Sequence, residues 1–129
     1  MTETDMNADQ FQQAAEATVR LYCVAWGEPD AEKRRSMLTQ VCSDTAQYTD
    51  PTVHFNSWRE LDAYVANVHV MFPGCRIEIT SGIDTHHGNG RFHWRFVTSD
   101  GTARQAGVDF VEFDGDGRLS RIVGFFDPH

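Results

Sequence analysis

Two aspartates stand where a carboxylate is costly to keep. Asp109 lies between Val108 and Phe110 in a stretch that reads as a strand, and a period of two places it with Gly107, Val111 and Phe113 on one face. An acid on an apolar face has to be hydrogen-bonded, paired or protonated. Asp50 ends a short strand and precedes Pro51. It either makes a turn with the proline or faces a mostly apolar cavity. In a cavity, desolvation disfavours its charge and makes it a better base for taking a proton next to a carbonyl.

The segment Arg91-Phe92-His93-Trp94-Arg95 would pair with the strand of Asp109. Register decides which set faces inward, and one residue of slip exchanges the sets. Alignment from the Asp109 side favours Phe92, Trp94 and Phe96; alignment from the Gly101 turn favours Arg91, His93 and Arg95. The aromatic set is preferred. If His93 faces inward, a His93–Asp109 dyad is available for acid–base work. His54 and His69 are further candidates for the same cavity, from the loop after Asp50 and from a helix. His86 and His87 are adjacent, so a strand would send them to opposite faces and prevent joint metal binding. Asp114-Gly115-Asp116-Gly117 has the look of a calcium loop but lacks the closing glutamate, and reads as a hairpin turn. Neither a nucleotide loop, Gly-x-Ser-x-Gly nor His-Glu-x-x-His occurs, and no metal or cofactor is expected.

These residues need elements to carry them. Phe11, Ala15, Thr18, Tyr22 and Trp26 recur at steps of three and four, predicting a helix over about 8–26, with Asp9 and Gln12 at capping-box spacing. Gly27-Glu28-Pro29 stops it. Asp30 caps a second helix over about 31–41, whose Lys33, Arg34 and Arg35 read as a solvated face. A short strand over 46–49 follows. Ser57-x-x-Glu60 opens a third helix, closed near 72 by Pro73-Gly74. Strands are then predicted over about 76–81, 84–87, 91–98, 102–113 and 119–126, with Gly82 as a bulge and turns at Gly88, Asp100-Gly101 and Asp114–Gly117. Helices first and strands afterwards indicate one α+β domain over residues 1–129. Three helices can cover the single buried face of such a sheet. Tyr48, Trp58, Tyr64, Val68, Trp94, Ile122 and Phe126 would then either fill a core or line a cavity between helices and sheet.

The composition narrows the partners. The 129 residues carry 11 Lys and Arg against 19 Asp and Glu, a net charge of −8. That acidity argues against non-specific binding to nucleic acid or anionic membrane. Cys23, Cys42 and Cys75 lie far apart and form no Cys-x-x-Cys, which fits free thiols in a reducing compartment. The polar, acidic start lacks the pattern of a signal peptide, and a cytoplasmic location is expected.

Tyr48-Thr49-Asp50-Pro51 after two helices, Pro73-Gly74 after a third, and Gly107-Val108-Asp109-Phe110-Val111-Glu112-Phe113-Asp114 followed by Gly117-Arg118-Leu119 resemble one family. In order and spacing they are similar to the nuclear transport factor 2-like superfamily, in its SnoaL-like polyketide cyclase and ketosteroid isomerase-like branch. The resemblance spans about 11–127. It implies a cone-shaped α+β barrel, with three N-terminal helices on a strongly curved, mixed, mostly antiparallel sheet. It also implies a homodimer through the outer sheet face, here expected to include Ile79 and Phe110. By the same resemblance Asp50 matches a general base and Asp109 an acid that donates to a developing enolate. The ligand would be a hydrophobic or aromatic small molecule, contacted by the wall residues and His54, in a cofactor-free isomerase, cyclase or dehydratase. The family also holds proteins without catalysis, so a metabolite-binding or protein-interaction domain is the alternative. Two departures stand out. The first-helix tyrosine of the isomerases falls near Arg20, with Tyr22 about 200° further round the helix. Arg91-Phe92-His93 does not supply the Arg-x-Asp of the limonene epoxide hydrolases.

Overall fold

A computed structural model describes residues 7–128. The order is α1 (Ala8–Trp26), α2 (Ala31–Val41), β1 (Cys42–Thr49), β2 (His54–Phe55), α3 (Trp58–Met71), β3 (Arg76–Ile79), β4 (Asp84–His86), β5 (Asn89–Val97), β6 (Ala103–Phe113) and β7 (Leu119–Phe126). The helices sit where the apolar periodicity predicts them. The cap of α1 differs: Asn7 and Gln10 make the reciprocal box, two residues earlier than Asp9 and Gln12. Asp30 and Ser57 cap α2 and α3 by accepting from Lys33 N and Glu60 N.

The strands form one mixed sheet in the order β2-β1-β7-β6-β5-β3, with β4 also on β5. Only β1 and β7 run parallel. The three helices cover its concave face, giving a curved α+β fold. The third edge of the meander is broken rather than simply bulged. Ile79 pairs with Trp94 and Asp84 with Arg91, so residues 80–83 oppose only Phe92 and His93. This irregularity bends the edge and drops Ile83 into the core. Asp50-Pro51-Thr52-Val53 makes a tight turn, closed by Asp50 N donating to Val53 O at 3.0 Å. The turn folds β2 back on β1, a hairpin where the sequence predicts a loop.

The core runs from Val19 and Tyr22 on α1, through Leu38 on α2 and Leu61 and Val65 on α3, to Phe92, Leu119 and Ile122 on the sheet. Burying each such side chain contributes about 1.5–3 kcal/mol. One expected solvated residue joins this interior. Arg34 is 3% exposed, and its Nε donates to Asp62 Oδ1 at 2.5 Å, tying α2 to α3. Only Lys33 and Arg35 of that charge run stay outside.

Two glycines set how closely the strands of the concave face are overlaid. A Cβ on Gly107 would lie 2.2 Å from Phe125 O and 2.7 Å from Trp94 Cζ2. The bare backbone of Gly107 therefore lets the Trp94 indole lie across β6. Gly107→Ala should cost about 1–3 kcal/mol and lower Tm by roughly 5–15 °C. Thermal unfolding followed by circular dichroism checks this, and an unchanged Tm would show that the overlay is not tight.

Candidate functional site

The register of the sheet builds a row of inward side chains. Phe92 pairs with Asp109, and Asp109 pairs with Gly124. Beyond Gly124 comes the end of β1, because Thr49 pairs with Val123. A Cβ on Gly124 would stand 3.0 Å from Asp109 Oδ1 and 3.5 Å from Asp50 Cβ. The two aspartates thus flank one glycine, although 59 positions separate them in the chain. Both are buried, Asp50 at 8% and Asp109 at 7% exposure.

An open cavity of about 220 Å³ lies over this row and has both aspartates in its wall. One side is aromatic through Trp26, Tyr48 and Tyr64, whose rings meet at 6.1 and 6.2 Å. The other side holds Trp94 and Phe126, edge to face at 5.9 Å. Phe72 and Phe96 meet edge to face at 5.6 Å in the same wall.

Aromatic donors orient the polar atoms. Trp94 Nε1 donates to Asp109 Oδ1 at 2.8 Å. Among the described residues no second donor reaches that carboxyl. Burial, and then the Asp50 charge, push the Asp109 carboxyl up to about 7, against the lowering effect of the Trp94 N–H. Asp50 is held differently. Its Oδ1 accepts from Thr52 N, Thr52 Oγ1 and Val53 N at 2.8, 2.7 and 3.2 Å, and its Oδ2 from Tyr48 Oη at 2.8 Å. Four donors thus converge on one carboxyl and fix its orientation. Asp50 is therefore both a turn residue and a cavity residue. Trp26 Nε1 donates to Tyr22 Oη at 2.9 Å, which leaves the phenol proton of Tyr22 for an acceptor in the cavity. Burial first, and then the Asp109 charge, hold that phenol above its ordinary range, so it stays a neutral donor.

Not every expected residue arrives. Tyr48, Tyr64, Val68, Trp94 and Phe126 line the cavity. His93 does not: β5 turns its aromatic set inward, so His93 is exposed and the His93–Asp109 dyad is not formed. His54 is exposed on the two-residue strand β2, bonded to Thr49 Oγ1 and Asn56 Oδ1. Trp58 and Ile122 are buried in the core rather than in the cavity wall, and Trp58 Nε1 has no hydrogen-bond partner among the described residues. His69 is not in the wall either; its Nε2 sits 2.7 Å from Trp26 O and ties α3 to the end of α1. His86 and His87 do come together, with Nδ1 atoms 3.3 Å apart, because His87 at φ 49 leaves the strand alternation. Among the described residues no group of three or more metal donors forms. The three thiols are buried and unpaired, and burial pushes those of Cys23 and Cys42 up, away from nucleophilic use.

Sequence reasoning put Phe92 and Phe96 on the inward face and Tyr22 on the apolar stripe of α1, but missed Trp26 and Gln105 as wall residues. The available signal was helical phase. Tyr22 and Trp26 are four apart on the apolar stripe, so they share a face with Val19, whereas Arg20 is exposed.

The raised Asp109 has a thermodynamic signature. Its folded value of about 7 exceeds the unfolded value near 3.9, so the folded state binds the extra proton between them. Its contribution is harmless below about pH 4 and increasingly destabilising as pH rises to about 7, by at most about 4 kcal/mol at about 1.4 kcal/mol per unit. Asp109→Asn should therefore gain stability relative to the wild type across that window, with a constant difference above it. Urea unfolding at a series of pH values measures this, and a difference independent of pH would contradict the buried acid.

No family model and no curated protein matches the sequence. Solved structures do. A SnoaL-like family protein from Agrobacterium tumefaciens, provisionally assigned as an isomerase, is 29% identical, with a TM-score of 0.83 over 90% of this chain and 99% of its own. A protein of unknown function with a cystatin-like fold from Methylobium petroleophilum is 18% identical, with a TM-score of 0.76 over 92% of this chain and 79% of its own. A protein from Jannaschia, provisionally assigned as a SnoaL-like polyketide cyclase, is 16% identical, with a TM-score of 0.71 over 95% of this chain and 90% of its own. Among the described residues no helix is long and apolar enough to cross a membrane. With three helices on one curved mixed sheet, the chain has the nuclear transport factor 2-like fold and is similar to SnoaL-like proteins of that fold.

Proposed function

We propose that the chain binds a hydrophobic or aromatic small molecule and moves a proton on it without a cofactor, as an isomerase, cyclase or dehydratase does next to a carbonyl. The observation that carries this reading is the meeting of Asp50 and Asp109 across Gly124 in the wall of one open aromatic cavity. Burial favours the protonated form of Asp109, whereas Asp50 gathers four hydrogen-bond donors, so the two acids stand in unlike surroundings within one cavity. Asp50, a carboxylate held by Tyr48 and its own turn, takes the proton through Oδ2. Asp109, protonated near neutral pH, donates to the oxygen that gains charge. Tyr22 adds a second neutral donor from α1. Trp94 and Trp26 position these donors rather than react.

The exchange of α-hydrogens of cyclic ketones for deuterium in heavy water, followed by NMR, reads this chemistry directly. Asp50→Asn should slow catalysed exchange by about 10²–10⁴-fold while ketone affinity changes little. Binding with no catalysed exchange in the wild type would favour the alternative, a domain that holds a metabolite without turning it over.

We also propose a homodimer through the outer face of the sheet. Phe110 and Phe125 are 45% and 54% exposed and meet edge to face at 5.9 Å on that face. Val108 and Val123 flank them, half-buried. Ile79 is not part of this patch, because it pairs with Trp94 and packs on the core. Light scattering at micromolar concentration should give twice the chain mass, and Phe110→Asp should halve it; a wild-type monomer would refute the dimer.

A further inference from the structure

The wall of the cavity restricts what can occupy it. None of the residues lining it is Arg, Lys or His, whereas Asp50 and Asp109 are both acids. A carboxylate ligand would enter against like charge, with no countercharge to offset its desolvation. Arg104 does not change this: its guanidinium stacks on the Phe72 ring at 5.0 Å and is not in the wall. Tyr22, Tyr48, Asp50 and Asp109 gather polar atoms at one place in the wall, with Tyr64 and Gln105 elsewhere in it, and the proton that Trp26 leaves free on Tyr22 calls for an acceptor oxygen. The rest of the wall is mostly ring faces and apolar side chains, which suit a flat apolar body.

Volume sets the size. An apolar cavity of roughly 150 Å³ holds one benzene ring. The cavity here, about 220 Å³, leaves room for a second fused ring, while a four-ring body would have to extend beyond it through the open side. Resting on the proton-transfer reading, we infer that the cavity selects uncharged carbonyl compounds of one or two rings and rejects carboxylates of the same shape.

Calorimetric titration of the wild-type protein at pH 8 with 1-tetralone, 1-naphthoate and a four-ring steroid ketone tests this. The tetralone should bind, the naphthoate at least tenfold more weakly, and the four-ring ketone no more tightly than the tetralone. In Asp109→Asn the gap between tetralone and naphthoate should shrink at least threefold, since one of the two repelling charges is gone. Equal binding of naphthoate, or tighter binding of the four-ring ketone, would overturn the selectivity and leave proton transfer standing on the exchange experiment. If none of the three binds, both the selectivity and the reading of the cavity as a binding site fall.

Discussion

The structure turns on keeping the Asp109 carboxyl buried with a single protein donor. A carboxyl in that position is tolerable only if it carries a proton or meets a donor, and the fold supplies one indole N–H and an apolar surround. Each nearby feature serves that placement. Gly107 gives up its side chain so that Trp94 can lie across β6 and reach Asp109. Gly124 gives up its own so that Asp109 and Asp50 can approach from the two neighbouring strands. Either glycine with a side chain would force the sheet apart or push the carboxyl out of line.

The surrounding rings do two kinds of work. As apolar bulk they exclude water and keep the acid desolvated. As hydrogen-bond donors, Trp26, Tyr48 and Trp94 each fix one polar oxygen: that of Tyr22, Asp50 and Asp109 respectively. A site of this kind is preorganised, since the donors are in place before any ligand arrives. The helices matter mainly as the holders of two of these groups, and the buried Arg34–Asp62 pair locks α2 to α3 behind them. The fold alone does not fix an activity, because folds host many chemistries; two acids facing one cavity are what favour proton transfer.

Much of the framework was legible in the residues. The apolar period of α1, the Ser57 cap and the Gly-containing turns predict elements close to those found, because each signal is local. Asp109 was legible for a different reason: a charge on an apolar strand face is an anomaly that needs no partner to be noticed. What stayed hidden depends on pairing. Trp58 and Ile122 have the pattern of wall residues, yet packing seats them in the core. The break at residues 80–83 exists only relative to β5, and Arg34 looks like any member of a surface charge run until Asp62 meets it.

The sequence by itself determined the three helices and the long strands of the meander, and that two acids would be hard to accommodate. Tertiary structure decided the rest, because a one-residue change of register exchanges the two faces of β5. Pairing Phe92 with Asp109 turned His93 outward and brought Trp94 in. The parallel pairing of β1 with β7 then carried Asp50 alongside Gly124, a meeting of distant residues that no local spacing encodes.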